Sequence, residues 1–220
     1  MKKIVRCVAA VLAMSLLLCG CGGPSAKDIE NVQVKSGKVE NGVYTNEYTG
    51  VRFAPGDDWV MLGVEDLQDE LEDVDKLLEG TAAGEAIEGL DQFMDMQAAD
   101  STGLSSVNVV YTKMNIVELG RYMTMDEDAI IEEALGQLDT MKDSYAAAGM
   151  EVESMEKHTV TFAGQDRVGI KIVGSVQGTP CYMLQVIDCQ KGVYNVTVTM
   201  TTVLEDGTEE LAQMFTGLNA

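Results

Sequence analysis

The chain has 220 residues, of which 46% are hydrophobic and 23% are charged, and its formal net charge at pH 7 is −21. So acidic a surface argues against binding to nucleic acid or to anionic lipid headgroups. The acidic excess is typical of a solvated protein surface, and it also suits a cation or a basic partner.

The start of the chain has the pattern of a secretory signal. Residues 1–6 are short and basic, and residues 7–18 are almost wholly apolar. An apolar stretch of about a dozen residues is too short to span a bilayer stably. We therefore expect residues 1–20 to be a signal peptide that is removed from the mature protein.

The end of this signal, Leu18-Cys19-Gly20-Cys21, resembles the bacterial lipobox. The resemblance implies cleavage between Gly20 and Cys21 and acylation of Cys21 with fatty acids such as palmitate. Cys19 is the alternative acylation site, but Leu18 before it is too bulky for the small-residue position. At about 0.8 kcal/mol per buried methylene, two or more acyl chains hold a protein firmly on a membrane. The sequence thus predicts an extracytoplasmic protein anchored to the cell membrane, the alternative being ordinary secretion with Cys21 unmodified.

Cleavage would leave residues 21–220, with 12 basic and 36 acidic side chains and a formal charge of −24. That length suits a single domain with a sizeable core. Residues 21–42 are small, polar and mixed in charge, which predicts a flexible tether of roughly 25 Å root-mean-square length. Residues 43–220 are expected to form the globular domain. The sequence leaves open whether residues 31–39 add an edge strand.

Apart from Cys21, the mature chain has two cysteines, Cys181 and Cys189. We expect them at opposite ends of one strand, about 26 Å apart. A disulfide needs Cα atoms within about 7 Å of each other, so the sequence predicts two free thiols that iodoacetamide labels without reductant.

Short strands are predicted to open the domain, over residues 44–46, 51–54 and 59–61, with turns at 47–50 and 55–58. Six residues there resemble the opening of small PsbP-like domains: Tyr44, Asn46, Gly50, Phe53, Pro55 and Trp59. The resemblance implies an α/β/α sandwich and protein-binding roles for the fold, but it matches no binding residue of the family to this chain.

The middle of the chain alternates predicted helices and hairpins. Apolar spacing predicts an amphipathic helix over residues 65–79, followed by a loop over 81–90. Residues 93–98 and 106–114 alternate in polarity and predict a hairpin. Thr124 and Glu127 have the spacing of a capping box, which predicts one long helix that ends near Ala148.

The last third of the chain predicts four strands and a helix. The strands cover residues 158–162, 167–173, 181–188 and 193–200, and their short links imply an antiparallel meander. Asp206 is expected to cap a final helix that carries Leu211, Met214, Phe215 and Leu218. Helices separated by hairpins must cover the sheet. The predicted fold class is therefore α+β, an antiparallel sheet covered by helices, as in the PsbP-like sandwich.

His158, the only histidine, is the first residue to consider for catalysis. It lies in phase with Val160 and Phe162 at a strand start, and no second histidine exists, so we expect a structural or surface role. The sequence has no Gly-x-Ser-x-Gly elbow, phosphate-binding loop or dinucleotide fingerprint. We therefore predict no catalytic residue, no cofactor and no enzymatic activity.

Metal and pocket candidates are weak. Asp57 and Asp58 in one turn, and Asp126 and Asp128 at a helix start, could offer oxygen ligands to a divalent cation. Turn chemistry and the helix dipole explain the same residues without a metal. Trp59 either lines a pocket or joins the core.

Two methionine pairs, Met94 with Met96 and Met123 with Met125, invite a copper(I) site, because thioethers are soft ligands. Met94 and Met96 are expected to share a strand face, where they serve equally well as core residues.

Three functions remain open from the sequence. The leading hypothesis is a lipid-anchored, non-enzymatic adaptor or accessory protein with an unknown protein partner and no nucleic acid. The alternative is a lipoprotein that binds a small solute or a cation. A hydrolase with an unrecognised site is the third hypothesis.

Overall fold

A computed structural model of the chain describes residues 36–64, 66–67, 92–114, 116–122, 124–188 and 194–218. Within these ranges the chain forms eleven strands and four helices. The strands are β1 (Lys38–Glu40), β2 (Val43–Asn46), β3 (Val51–Phe53), β4 (Trp59–Gly63), β5 (Gln92–Asp100), β6 (Ser105–Lys113), β7 (Met150–Phe162), β8 (Gln165–Val176), β9 (Thr179–Asp188), β10 (Tyr194–Val203) and β11 (Phe215–Gly217). The helices are α1 (Ile116–Tyr122), α2 (Glu127–Leu135), α3 (Leu138–Ala147) and α4 (Thr208–Gln213).

The strands form two antiparallel sheets. The large sheet has the order β4-β5-β6-β10-β9-β8-β7, and the small sheet has the order β1-β2-β3-β11. The predicted hairpin of β5 and β6 and the predicted meander of β7 to β10 are both confirmed. Each meander strand is longer than the sequence predicted, because the hairpin ladders continue to the turns.

One face of the large sheet, which we call the first face, packs against the small sheet and α4. Alternate side chains of β5, β6 and β10 point into this core, as period-two strands require. Three phenylalanines form its centre. Phe215 lies 4.6 Å from both Phe53 and Phe162, measured between ring centroids.

The opposite face, which we call the second face, is covered in part by helices. α2 and α3 pack over β7 and β8. Ile131 of α2 and Tyr145 of α3 are buried there against Ile170, Ile172 and Met183 of the sheet. Both helical side chains therefore point inward, onto the sheet.

The predicted fold class is wrong, because the protein is β-rich rather than a sheet covered by helices. A second sheet covers the first face, and its fourth strand is β11. Phe215 was expected in the final helix, but it pairs with Phe53 of β3. α4 ends at Gln213, because the chain gains a strand partner at residue 215.

The helix predicted from Thr124 to Ala148 is also different in the structure. It is two helices, α2 and α3, separated at Gly136. The cap is Asp126, whose Oδ1 accepts a hydrogen bond from the Ala129 amide at 2.9 Å. Thr124 instead donates its hydroxyl to the Arg121 carbonyl at the end of α1, a helix that the sequence did not predict.

The fold includes a hairpin just before the predicted start of the globular domain. Asn41 and Gly42 both have positive φ, 52° and 72°, as a two-residue type I′ turn needs. This turn joins β1 to β2. β1 therefore places Lys38 and Val39 in an edge strand, which answers the open question for those two residues. Most of the helix predicted over residues 65–79, and the loop over 81–90, lie outside the described residues.

Candidate functional site

A buried carboxylate lies where the two sheets meet. Asp95 sits in a β-bulge of β5, is 0% exposed, and has no register partner on β6. The Gly37 amide donates to Oδ1 at 3.0 Å and to Oδ2 at 2.9 Å. The Tyr44 hydroxyl donates to Oδ2 at 2.5 Å. The bulge thus brings one acid from the large sheet to the small sheet and to the residue that precedes β1.

Asn46 connects this carboxylate to the rest of the core. Its Nδ2 lies 3.0 Å from Asp95 Oδ2, 2.6 Å from the Tyr44 hydroxyl and 2.6 Å from the Tyr111 hydroxyl. Its Oδ1 accepts from two backbone amides of the turn after β2. We call Gly37, Tyr44, Asn46, Asp95 and Tyr111 the Asp95 network. It links β2, β5, β6 and the residue before β1.

Burial and hydrogen-bond donors together set the protonation of Asp95 and Tyr44 in this network. Burial raises the pKa of Asp95, while hydrogen bonds from Tyr44, Gly37 and Asn46 oppose the rise. Burial and the nearby Asp95 carboxylate raise the pKa of Tyr44 well above its usual value, so its hydroxyl stays a donor. Each of these groups donates a hydrogen bond to the carboxylate, which favours the anion and offsets part of the effect of burial. The network is therefore suited to holding the two sheets together.

The same bulge determines to which face of the sheet Met94 and Met96 each point. Met94 pairs with Val110 and Met96 with Val109, which are neighbours in β6 and point to opposite faces. The prediction that Met94 and Met96 share a strand face is therefore wrong. Both side chains are buried, at 2% and 0% exposure. Their placement on opposite faces removes the geometric reason for a joint copper(I) site.

Residues that carry the resemblance to PsbP-like domains lie in this region. Tyr44 and Asn46 belong to the Asp95 network, and Gly50 has a φ of +74° in the turn. Phe53 packs edge-on against Trp59 with ring centroids 5.7 Å apart. Trp59 is half-buried against the core of the first face, so the structure gives it a packing role.

A second buried charge lies where α4 begins. Lys171 of β8 is 7% exposed, and its Nζ contacts Asp206 Oδ1 at 2.7 Å, Oδ2 at 2.6 Å and Thr208 Oγ1 at 2.5 Å. Burial opposes ionisation of Asp206, but hydrogen bonds from Lys171 and Thr208 outweigh it and lower the pKa of that carboxyl. Asp206 also accepts from the Thr208 amide at 3.2 Å, but the N-cap of α4 is Gly207, so the prediction that Asp206 caps this helix is wrong. This ion pair attaches α4 to the large sheet.

His158 is half-buried on β7. Its Nε2 lies 2.9 Å from Glu209 Oε1 of α4, and its side chain is 30% exposed. The imidazole therefore contacts the same helix that Lys171 attaches. The structural or surface role expected for it stays a prediction.

The four predicted metal-ligand candidates are not brought together. Asp57 and Asp58 lie in the turn before β4, Asp126 caps α2, and Asp128 lies 3.4 Å from the Lys157 ammonium. Among the residues that the structure describes, no three His, Cys, Asp or Glu side chains are placed to hold a metal ion. None of the described helices has the length and apolar character to cross a membrane.

Cys181 of β9 is a buried free thiol. Burial raises the pKa of this thiol to about 11, so little thiolate exists at neutral pH. Cys189 lies outside the described residues.

Two of the residues that organise these clusters, Asp95 and Lys171, were not singled out from the sequence. Their strands gave the only local signal, a charged residue inside an apolar run. Comparisons with known proteins add no further assignment, since no protein-family model and no curated protein matches the chain. The resemblance to PsbP-like domains therefore stays a prediction.

Proposed function

We propose that the chain is a lipid-anchored, non-enzymatic domain on the outer face of the cytoplasmic membrane, where it acts as an adaptor or accessory subunit for a protein partner. The observation that carries this proposal is the position of the Asp95 network. It holds the backbone at Gly37, 16 residues beyond the acylation site Cys21.

The distance between anchor and fold is bounded by covalent geometry. A stretch of 16 residues spans at most about 55 Å, so an acylated Cys21 keeps the domain near the bilayer. A force on the anchor reaches the fold at Gly37, whose amide is bound by a fully buried carboxylate. This arrangement supports a tethered domain, because a pulling force on the anchor is resisted by hydrogen bonds to the core and not only by the short strand β1.

The described polar clusters support binding rather than catalysis. Asp95 joins the two sheets, Lys171 attaches α4, and His158 contacts Glu209. Each of these groups is engaged in holding elements together. The formal charge of −24 in the expected mature chain suits a partner with a basic surface. Kinship with PsbP-like domains is part of the proposal and rests on the motif around Tyr44 and Asn46.

The anchor is tested by two matched cysteine variants. Cys21→Ala is expected to release the protein from membranes into the soluble fraction. Cys19→Ala, a change of the same kind two residues earlier, is expected to leave it membrane-bound. Release by Cys19→Ala alone would move the acylation site, and membrane retention of both variants would contradict the anchor.

The adaptor role is tested by cross-linking mass spectrometry on native membranes. We expect a reproducible protein partner with the intact protein and with Cys19→Ala, and its loss with Cys21→Ala. The cross-linked lysines then map the binding surface. A membrane-bound protein that yields no reproducible partner would contradict the adaptor role while leaving the anchor intact.

Binding of a small solute or a cation stays an alternative hypothesis, and no cluster of the described residues favours a cation.

A further inference from the structure

Three large apolar side chains are exposed at one end of the large sheet. We call this end the sheet tip and define it as residues 56–60, 99–105 and 202–206, which belong to the neighbouring strands β4, β5, β6 and β10 and their turns. Val60 is 65% exposed, Leu104 is 41% exposed and Leu204 is 54% exposed. An exposed apolar patch with a polar rim is typical of a surface that contacts another molecule.

Hydrogen bonds join the three segments of the sheet tip. The Ser101 amide donates to the Asp58 carbonyl at 2.8 Å, and the Val203 amide donates to the Leu104 carbonyl at 2.9 Å. The second bond places Leu204 one residue beyond the strand partner of Leu104, at a distance of about 5–8 Å. The two leucines therefore form one apolar contact area on a backbone that is held by the sheet.

Leu204 has a backbone conformation that is unfavourable for leucine. Its φ is +78°, where the Cβ of an L-residue comes too close to a backbone carbonyl oxygen. The other non-glycine residues with positive φ in the described part of the chain, Asn41, Ala163 and Gln177, each precede a glycine in a hairpin turn, whereas Leu204 precedes Glu205. A half-exposed side chain gains little from packing in return. The stability of the fold therefore does not account for a leucine at this position.

The rim of this contact area is acidic. The three segments contain no lysine, arginine or histidine, and they contain five acidic residues, Asp57, Asp58, Asp100, Glu205 and Asp206. Asp206 is paired with Lys171. Among the described residues, no ion pair involves Asp57, Asp58 or Glu205, and all three are exposed. The sheet tip therefore offers apolar surface within a negative field, which fits a partner of opposite charge.

From this arrangement we propose that the sheet tip is the docking surface for a segment of the protein partner that presents an apolar side chain between lysine or arginine residues. The inference rests on the adaptor role proposed above and assigns that role a surface. The apolar side chain covers Leu104 and Leu204, and the basic residues face the carboxylates of the rim. Two sheet tips of the same chain would bring like charges together, and anionic lipid headgroups are repelled for the same reason.

The test is zero-length cross-linking of native membranes with a water-soluble carbodiimide, which joins a carboxylate directly to an amine. The probe suits the sheet tip, because this region has carboxylates and no lysine. Mass spectrometry of the full acylated protein is expected to find Asp57, Asp58 or Glu205 joined to lysines of one reproducible protein partner. Raising the ionic strength from about 0.1 M to 1 M shortens the screening length from about 10 Å to 3 Å and should lower the yield.

Leu204→Asn is the decisive variant, because asparagine has a similar size, tolerates positive φ and removes the apolar group. Loss of one buried leucine at a docking surface weakens binding about tenfold or more, so the yield of tip cross-links should fall about tenfold. Leu218→Asn is the matched control at an exposed leucine outside the sheet tip and should keep the yield. The Tm of Leu204→Asn is expected to equal or exceed that of the wild type. Should Leu204→Asn fail to fold, Leu104→Asn makes the same change in the same contact area.

Four results would overturn the proposal. A partner joined only to acids elsewhere, such as Glu151 or Glu153 of β7, would move the docking surface and leave the adaptor role intact. Tip carboxylates joined to phosphatidylethanolamine, or to lysines of a second copy in isotopically mixed protein, would give the tip a different occupant. An undiminished yield in Leu204→Asn, or a Tm below that of the wild type, would give Leu204 no part in docking or a structural part. The absence of any partner would contradict the adaptor role as well.

Discussion

Replacing Tyr44 by phenylalanine removes one hydroxyl from the Asp95 network and leaves the aromatic ring in place. That hydroxyl donates to Asp95 Oδ2 at 2.5 Å and lies 2.6 Å from Asn46 Nδ2. A hydrogen bond to a charged group contributes about 1.5–3 kcal/mol, and one between neutral groups contributes about 0.5–1.5 kcal/mol. We expect Tyr44→Phe to lower the free energy of unfolding by about 2–4 kcal/mol, measured by urea denaturation.

Tyr111→Phe is the matched control. The Tyr111 hydroxyl lies 2.6 Å from Asn46 Nδ2 and lacks a hydrogen bond to the carboxylate among the described contacts. Its loss is expected to lower the free energy of unfolding by about 1 kcal/mol. If Tyr111→Phe proves as destabilising as Tyr44→Phe, the carboxylate is not the centre of the network and the reasoning is refuted.

The pH dependence of this difference follows from the raised pKa of Asp95 in the folded protein. A carboxyl whose pKa is raised on folding contributes stability below its unfolded pKa and loses that contribution as pH rises through the folded pKa. Tyr44→Phe removes a donor that opposes the rise, so the folded pKa of Asp95 rises further. The deficit of the variant should therefore be largest at neutral pH and shrink as pH falls toward 3.8, the unfolded value. A deficit that grows on acidification would contradict this assignment.

Three further predictions concern other buried positions. Gly37→Ala should lower the free energy of unfolding by about 1–3 kcal/mol, because the added Cβ would overlap the Tyr44 ring; equal stability in urea would contradict the close packing. Lys171→Met should cost about 1–3 kcal/mol, since Asp206 is 40% exposed and can regain water. The lowered pKa of Asp206 adds stability above its unfolded pKa that is lost as pH falls through the folded value, so the deficit should shrink in acid. Cys181 should resist iodoacetamide in the native protein and react without reductant in guanidinium, as peptide mapping can show; native labelling would contradict its burial.

Turn residues predicted much of the strand order, and the Asn41-Gly42 turn is a further hairpin signal in the sequence. The turns at Ala163-Gly164 and Gln177-Gly178 have positive φ at both residues, and the links were predicted as hairpins. Asn41-Gly42 has the same geometry and is the strongest two-residue hairpin sequence of the three. Lys38 and Glu40 before it are charged and exposed, so composition alone favoured a tether there.

The parts that could not be predicted depend on contacts far apart in the chain. β11 exists because Phe215 finds Phe53, 162 residues earlier in sequence, as a strand partner. Its local spacing from Leu211 fits one face of a helix equally well, and tertiary pairing overrides that preference. Asp95 shows the same limit. A period-two pattern assigns it to the face opposite Met96, and only the bulge directs its carboxylate toward Tyr44.

The β10 side chains on the second face of the large sheet are where sequence and structure disagree most. In β10, polar residues from Asn195 to Thr201 alternate with apolar ones, a pattern typical of a strand with one face in water. The structure instead buries Thr197, Thr199 and Thr201, at 2%, 0% and 1% exposure. Groups with the hydrogen-bonding capacity of a wetted surface are thus enclosed inside the protein. Alternation in β10 therefore predicts the strand, but it does not predict that both faces of the strand are buried.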